Sequence, residues 1–162
     1  MKRILALSHS VNKWLLRGAG VMLLLTMIEA VANMLLRPFG HPIQGSFELM
    51  GFGAAAVAAL GLANSQERKV HICVDILFSR FSPGIKHFLA SLGNLLCSIF
   101  FGMAAWRISE LALRLWRSGE VSETLRIPFY PFTGIVALGF WALSFTLLID
   151  FYKGIMAERA KA

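Results

Sequence analysis

Charge is what this chain has least of. Asp, Glu, Lys and Arg make up 15% of its 162 residues, against roughly a quarter in an ordinary soluble domain. A soluble domain of this length hides one or two apolar helices, not four long ones, so the shortage points to a membrane protein. Cysteine is nearly as scarce. Cys73 and Cys97 form neither a metal-binding spacing nor a disulfide framework, and Cys97, inside an apolar run, reads as a small hydrophobic filler. There is no Ser/His/Asp arrangement, no phosphate-binding glycine loop and no paired-carboxylate site, so no enzyme is expected and no cofactor. His9, His41, His71 and His87 stand outside the apolar runs or at their edges. A haem-binding membrane anchor needs two histidines facing each other inside a bundle and ranks last for that reason. His71, Cys73 and Asp75 come closest to a metal site and read as a solvated turn instead.

What remains is apolar. The chain is 57% hydrophobic, with a mean hydropathy of +0.65. Four spans stand out, at about 18–36, 46–64, 88–106 and 128–151. Each is long enough, at ~1.5 Å per helical residue, to cross a hydrocarbon core of ~30 Å. The expected fold is an all-α integral membrane protein, with four transmembrane helices and short amphipathic interfacial helices in one domain, 1–162. Residues 1–16 carry Ile4, Leu7, Val11, Trp14 and Leu15 near helical spacing, with Lys2, Arg3, His9 and Lys13 between them. That pattern suits a short helix on the membrane surface, or an unordered basic tail. The run from Gly18 to Leu36 has 19 residues, longer than a signal-peptide core of about 7–15, and reads as an uncleaved membrane helix. Pro38 ends it. An amphipathic arm at 107–118 follows the third span, with Ile108, Leu111, Ala112 and Leu115 on one face and Arg107, Glu110, Arg114 and Arg117 opposite. Glu110 and Arg114 are placed to pair there, and Gly119 stops the helix. Pro128 and Pro131 sit where a first helical turn tolerates proline.

The net charge of +7 raises the question of nucleic acid. The basic residues cluster instead at the ends of apolar spans, as topology determinants do, so no nucleic-acid partner is expected. One side of the bilayer would hold Lys2, Arg3, Lys13, Arg17, Arg68, Lys69, Arg80, Lys86, Lys153, Arg159 and Lys161. The other would hold Arg37, Arg107, Arg114, Arg117 and Arg126. Eleven against five places both termini in the cytoplasm by the positive-inside rule.

Few residues inside the spans carry chemistry. Glu29 is the one charge in the first span. An ionisable group there costs about 2.5–3.5 kcal/mol on insertion scales. It reads first as a hydrogen-bonding group toward a partner helix, or as a protonated acid, and second as a carboxylate that binds a cation, proton or substrate. Ser46 has the chemistry of an N-cap for the second span, with Glu48 in the first turn near the positive end of the helix dipole. Glu48 and Arg37 belong to the same outward face and pair across the first two helices, with Arg126 as a competitor, or else stay solvated. Gly51, Ala55, Ala59 and Ala63 recur every four residues and read as a small-residue packing stripe, for the chain's own helices or for another protein.

Two stretches carry a resemblance. The first runs Pro42-Ile43-Gln44-Gly45-Ser46-Phe47-Glu48 and continues through Asn64 to His71. The second is Gly119-Glu120-Val121-Ser122-Glu123-Thr124-Leu125-Arg126-Ile127-Pro128. With the four spans, these resemble the small membrane subunit of tripartite ATP-independent periplasmic (TRAP) transporters, the DctQ-like family. The resemblance implies a scaffold subunit in a bacterial inner membrane, with cytoplasmic termini. Its implied partners are a large permease subunit, which carries the substrate and sodium sites, and a periplasmic binding protein that delivers an organic anion, often a carboxylate. It also implies a structural role for Glu48. The alternative is a stand-alone four-helix exporter that couples protons through Glu29.

Overall fold

The computed structural model describes residues 2–67 and 83–159. They form four long helices: α1 (Lys2–Leu36), α2 (Ser46–Glu67), α3 (Pro83–Ser118) and α4 (Tyr130–Arg159). All four are long and apolar enough to cross a membrane. A 3-10 turn, Arg37–Phe39, closes α1 with Pro38 inside it. His71, Cys73 and Asp75 lie outside the described residues.

Two helices extend furthest beyond their apolar spans. α1 runs unbroken through residues 2–16, so the expected surface segment is its first four turns. α3 likewise continues without a break through the arm at 107–118. At 36 residues it is ~54 Å long, well beyond the hydrocarbon thickness. Along the arm Arg107 pairs with Glu110 at 3.0 Å, in place of the expected Glu110–Arg114 pair. Gly119, at φ 67°, ends it, its N–H returning to the Leu115 carbonyl. Proline does less at the fourth helix than its position promises. Pro131 lies in the first turn of α4, but Pro128 stays in the loop, bridged antiparallel to Val121.

The helices pack in the order α1, α2, α4, α3, with only a light touch between α1 and α4. α1 and α2 are antiparallel, with Glu29 beside Ser46 and Asn12 beside Glu67. α3 and α4 are antiparallel too, with Ser98 beside Ser144 and Ser109 beside Trp141. The central pair, α2 and α4, runs parallel: Phe52 stacks on Phe132 near one end, and Gln66 reaches Asp150 near the other. The start of α1 and the end of α4 therefore lie at one end of the layer, and the two short loops lie at the other.

The core is mostly alanine. Among the described residues the buried apolar side chains are Ala19, Ala56, Ala59, Leu60, Ala63, Ala105, Ala137, Leu143 and Leu147. In lipid there is no hydrophobic gain in bringing two helices together, so cohesion comes from close backbone approach and dispersion. Gly139 marks a point where backbone meets backbone. A Cβ there would collide with the Ala59 backbone carbonyl, so α2 and α4 cross at Ala59 with nothing between them.

Candidate functional site

The loop end is built from the two stretches that carry the resemblance, and they touch. Gly45 sits at φ 73°, a conformation glycine adopts without the steric penalty of a side chain. Its carbonyl accepts the Glu48 and Leu49 N–H groups at 2.9 and 3.1 Å. Gly45, not Ser46, is thus the capping residue of α2. The Ser46 hydroxyl turns the other way and donates to Glu29 Oε1 at 2.5 Å, joining α2 to α1. Glu48 faces the second loop. Its carboxylate accepts the backbone N–H groups of Thr124 and Leu125 at 3.0 and 3.3 Å. The Leu125 side chain lies over Gly45 in space that any Cβ would occupy.

The second loop is ordered from within. Ser122 is buried, its N–H donates to the Ile127 carbonyl at 2.9 Å, and its Oγ accepts the Ile127 N–H at 3.3 Å. This small hairpin aims the Thr124 and Leu125 donors at Glu48 and leaves Arg126 exposed at φ 54°. Across the first loop, Asn33 Oδ1 accepts the Ile43 N–H at 2.9 Å. A carboxylate, a hydroxyl and an amide thereby fix both loops to the helix ends.

Of the residues singled out by sequence, Glu29 and Glu48 thus join one network through α2. Arg37 does not enter it. The Arg37 side chain is exposed and makes no ion pair among the described residues, because Glu48 is occupied by the backbone of the second loop. The stripe divides. Ala59 and Ala63 are buried against α4, whereas Gly51 and Ala55 are exposed. The buried face of α2 is Gly53, Ala56, Ala59, Leu60 and Ala63.

A second polar site, at the end that holds the termini, has no counterpart in the sequence reading. Asn12 is almost fully buried. Its side-chain amide donates to Glu67 Oε2 at 3.0 Å and to Thr146 Oγ1 at 3.2 Å, uniting α1, α2 and α4. His9 Nδ1 lies 2.7 Å from the other Glu67 oxygen. Gln66, Asp150 and Lys153 extend the cluster along α4. Between α3 and α4, Ser98 and Ser144 each donate to the other's carbonyl at 2.9 Å. The signal for such sites is a polar residue whose helical neighbours are apolar, and Ser98, Ser144 and Thr146 fit it; Asn12 is hidden by its basic surroundings.

The chemistry available here is adhesive. Carboxylates, hydroxyls and amides bond one another or backbone groups at helix crossings, which holds long apolar helices in register. The family described as Tripartite ATP-independent periplasmic transporters, DctQ component, matches residues 22–156. No curated protein and no solved structure matches. The match reaches into all four helices and spans both loop-end stretches, so the chain belongs to the DctQ family of TRAP transporter components.

Proposed function

We propose that this chain is the small scaffold subunit of a TRAP-type secondary transporter. It works with a large permease subunit and a periplasmic binding protein to take up an organic anion, a carboxylate by preference, on a sodium gradient. The substrate and sodium sites belong to the large subunit, and this chain widens and anchors the fixed part against which the transport domain moves. It sits in the bacterial inner membrane with both termini in the cytoplasm and the Glu48-clamped loops outside.

The observation that carries this reading is where the polar side chains of the layer point. Asn12, Thr146, Ser98 and Ser144 all bond to neighbouring helices of the same chain, and Glu29 does so through one of its two carboxylate oxygens. A transport pathway needs polar groups turned to a passage; a scaffold needs them turned to each other.

Reconstitution tests the reading. The chain is placed in liposomes alone, and then with the large subunit and binding protein, under an imposed sodium gradient. Uptake from a panel of organic acids is expected only from the complete set. Saturable uptake, or drug export, by this chain alone would overturn the proposal.

A further inference from the structure

Near the loop end, α1, α2 and α4 leave a groove of about 210 Å³ lined by Met22, Leu25, Thr26, Leu49, Gly53 and Phe132, with Glu29 in its wall. Its polarity is lopsided. Thr26 is already satisfied, its hydroxyl donating to the Met22 carbonyl at 2.7 Å. Glu29 is half satisfied: Oε1 receives Ser46, but Oε2 is buried with no hydrogen-bond partner. A buried acceptor left unpaired is costly, and in an apolar medium few groups can relieve it. A donor that reached Oε2 from the groove would satisfy it while Ser46 keeps Oε1.

The groove also has a direction. Glu29 and Leu49 lie beside the first turn of α2, at its shallow end. Met22 lies deeper, ~10 Å further along α1, with Thr26 and Gly53 at the level between. A single acceptor at the shallow end above apolar walls is the pattern of a lipid that enters with its headgroup uppermost. We propose that this groove holds one phospholipid with a primary-amine headgroup. Its ammonium donates to the Glu29 carboxyl, and part of an acyl chain lies along Met22, Leu25, Leu49 and Phe132. An N–H donor is required, so a fully methylated ammonium does not serve. The inference rests on the membrane-spanning reading and not on the proposed transport role.

The test is lipid retention. The full chain is placed in bilayer discs of phosphatidylethanolamine with phosphatidylglycerol. Matched discs carry phosphatidylcholine, whose headgroup has no N–H, in place of the ethanolamine lipid. Native mass spectrometry then counts the lipid that stays bound. The wild type is expected to retain the amine lipid with roughly tenfold preference over the choline lipid, the scale of one charge-assisted hydrogen bond. Glu29→Gln keeps an acceptor for Ser46 and is expected to lose most of that preference. Leu25→Trp fills the groove while leaving the Glu29 carboxyl in the chain and is expected to abolish retention of either lipid, and it decides the matter if Glu29→Gln does not fold. Equal retention of the two lipids by the wild type, or unchanged retention in Leu25→Trp, overturns the proposal. So does a photo-crosslinker at Leu25 that captures a protein partner in the native membrane instead of lipid.

Discussion

The inner and outer helices of this layer obey different rules. In the spans of α2 and α4, 33% of residues are buried within the chain; in those of α1 and α3 the figures are 6% and 11%. The inner pair meets through alanine and glycine, with Ala59 against Gly139 and Ala63 beside Leu143 and Leu147. The outer helices turn bulk outward: Leu24, Ile28 and Val31 on α1, and Leu96, Ile99, Phe100 and Met103 on α3, are all exposed. In water such faces would aggregate; in lipid they are solvated. The outer helices are not equally held: α3 packs along α4 more extensively than the inner pair packs on itself, whereas α1 rests on α2 and barely touches α4. What sets the inner pair apart is closeness of backbone at its crossing, and what sets the outer helices apart is the bulk they turn to lipid.

The largest effect is expected where the inner backbones touch. Gly139→Leu sets a side chain against the Ala59 carbonyl, which cannot swing aside as a flexible side chain would. The expected loss is about 3 kcal/mol, the upper end of the usual overpacking cost. Gly134→Leu, on the same helix with open space around it, is the control. Thermal unfolding of the purified protein in detergent should separate the two by a large drop in melting temperature for Gly139→Leu alone. Equal melting would show that the inner pair is looser than its geometry implies.

Next comes the tie between an outer helix and the inner pair. Asn12→Leu leaves Glu67 and Thr146 without their shared donor, at a cost of roughly 1–3 kcal/mol for buried groups left unpaired. Adding Thr146→Val removes one orphaned acceptor, so the double variant should be less destabilised than the sum of the two singles. Strict additivity would mean that Asn12 and Thr146 do not act together. A smaller, local effect is expected at Glu48. Glu48→Ala releases the Thr124 and Leu125 N–H groups, and hydrogen exchange should quicken at those two amides while the helix centres keep their protection. Glu48→Gln retains one good acceptor and should fall between. Unchanged exchange in Glu48→Ala would show that the loop holds its shape without the clamp.

How legible was this from sequence? The spans were, because runs of apolar residues with charges at their ends have few other readings in so uncharged a chain. The two loop-end stretches could be picked out, but not their contact. Glu48 and Thr124 are 76 positions apart, and the partners of Glu48 are backbone N–H groups, which every residue but proline has. The expected Arg37 pairing followed from opposite charge alone and lost to that backbone. Asn12 was hidden for the opposite reason: between His9 and Lys13 it looked like one more polar residue of a surface helix. The order of the helices was not readable, since a face toward lipid and a face toward another helix are both apolar.

The stripe on α2 shows most plainly what was missed, and it carries the smallest expected effect. A step of four residues advances about 400° round a helix of 3.6 residues per turn, so it drifts about 40° each time. From Gly51 to Ala63 that amounts to about 120°, enough to leave one face for another. Gly53, Ala56, Leu60 and Ala63 alternate steps of three and four and stay on the buried face, while Gly51 and Ala55 turn outward. Ala59→Leu should therefore behave as an inner-pair lesion, and Ala55→Leu should change the chain's own stability by less than about 0.5 kcal/mol. Melting of the two variants side by side is the first measurement, and equal destabilisation would erase the distinction between the two faces of α2. Co-purification with the large subunit is the second. If Ala55→Leu melts like the wild type and still releases the large subunit, the outward half of the stripe is where that subunit approaches most closely. If it retains the subunit, the contact lies on the outer helices, and bulky substitutions at Leu96 or Ile28 should be the ones that release it.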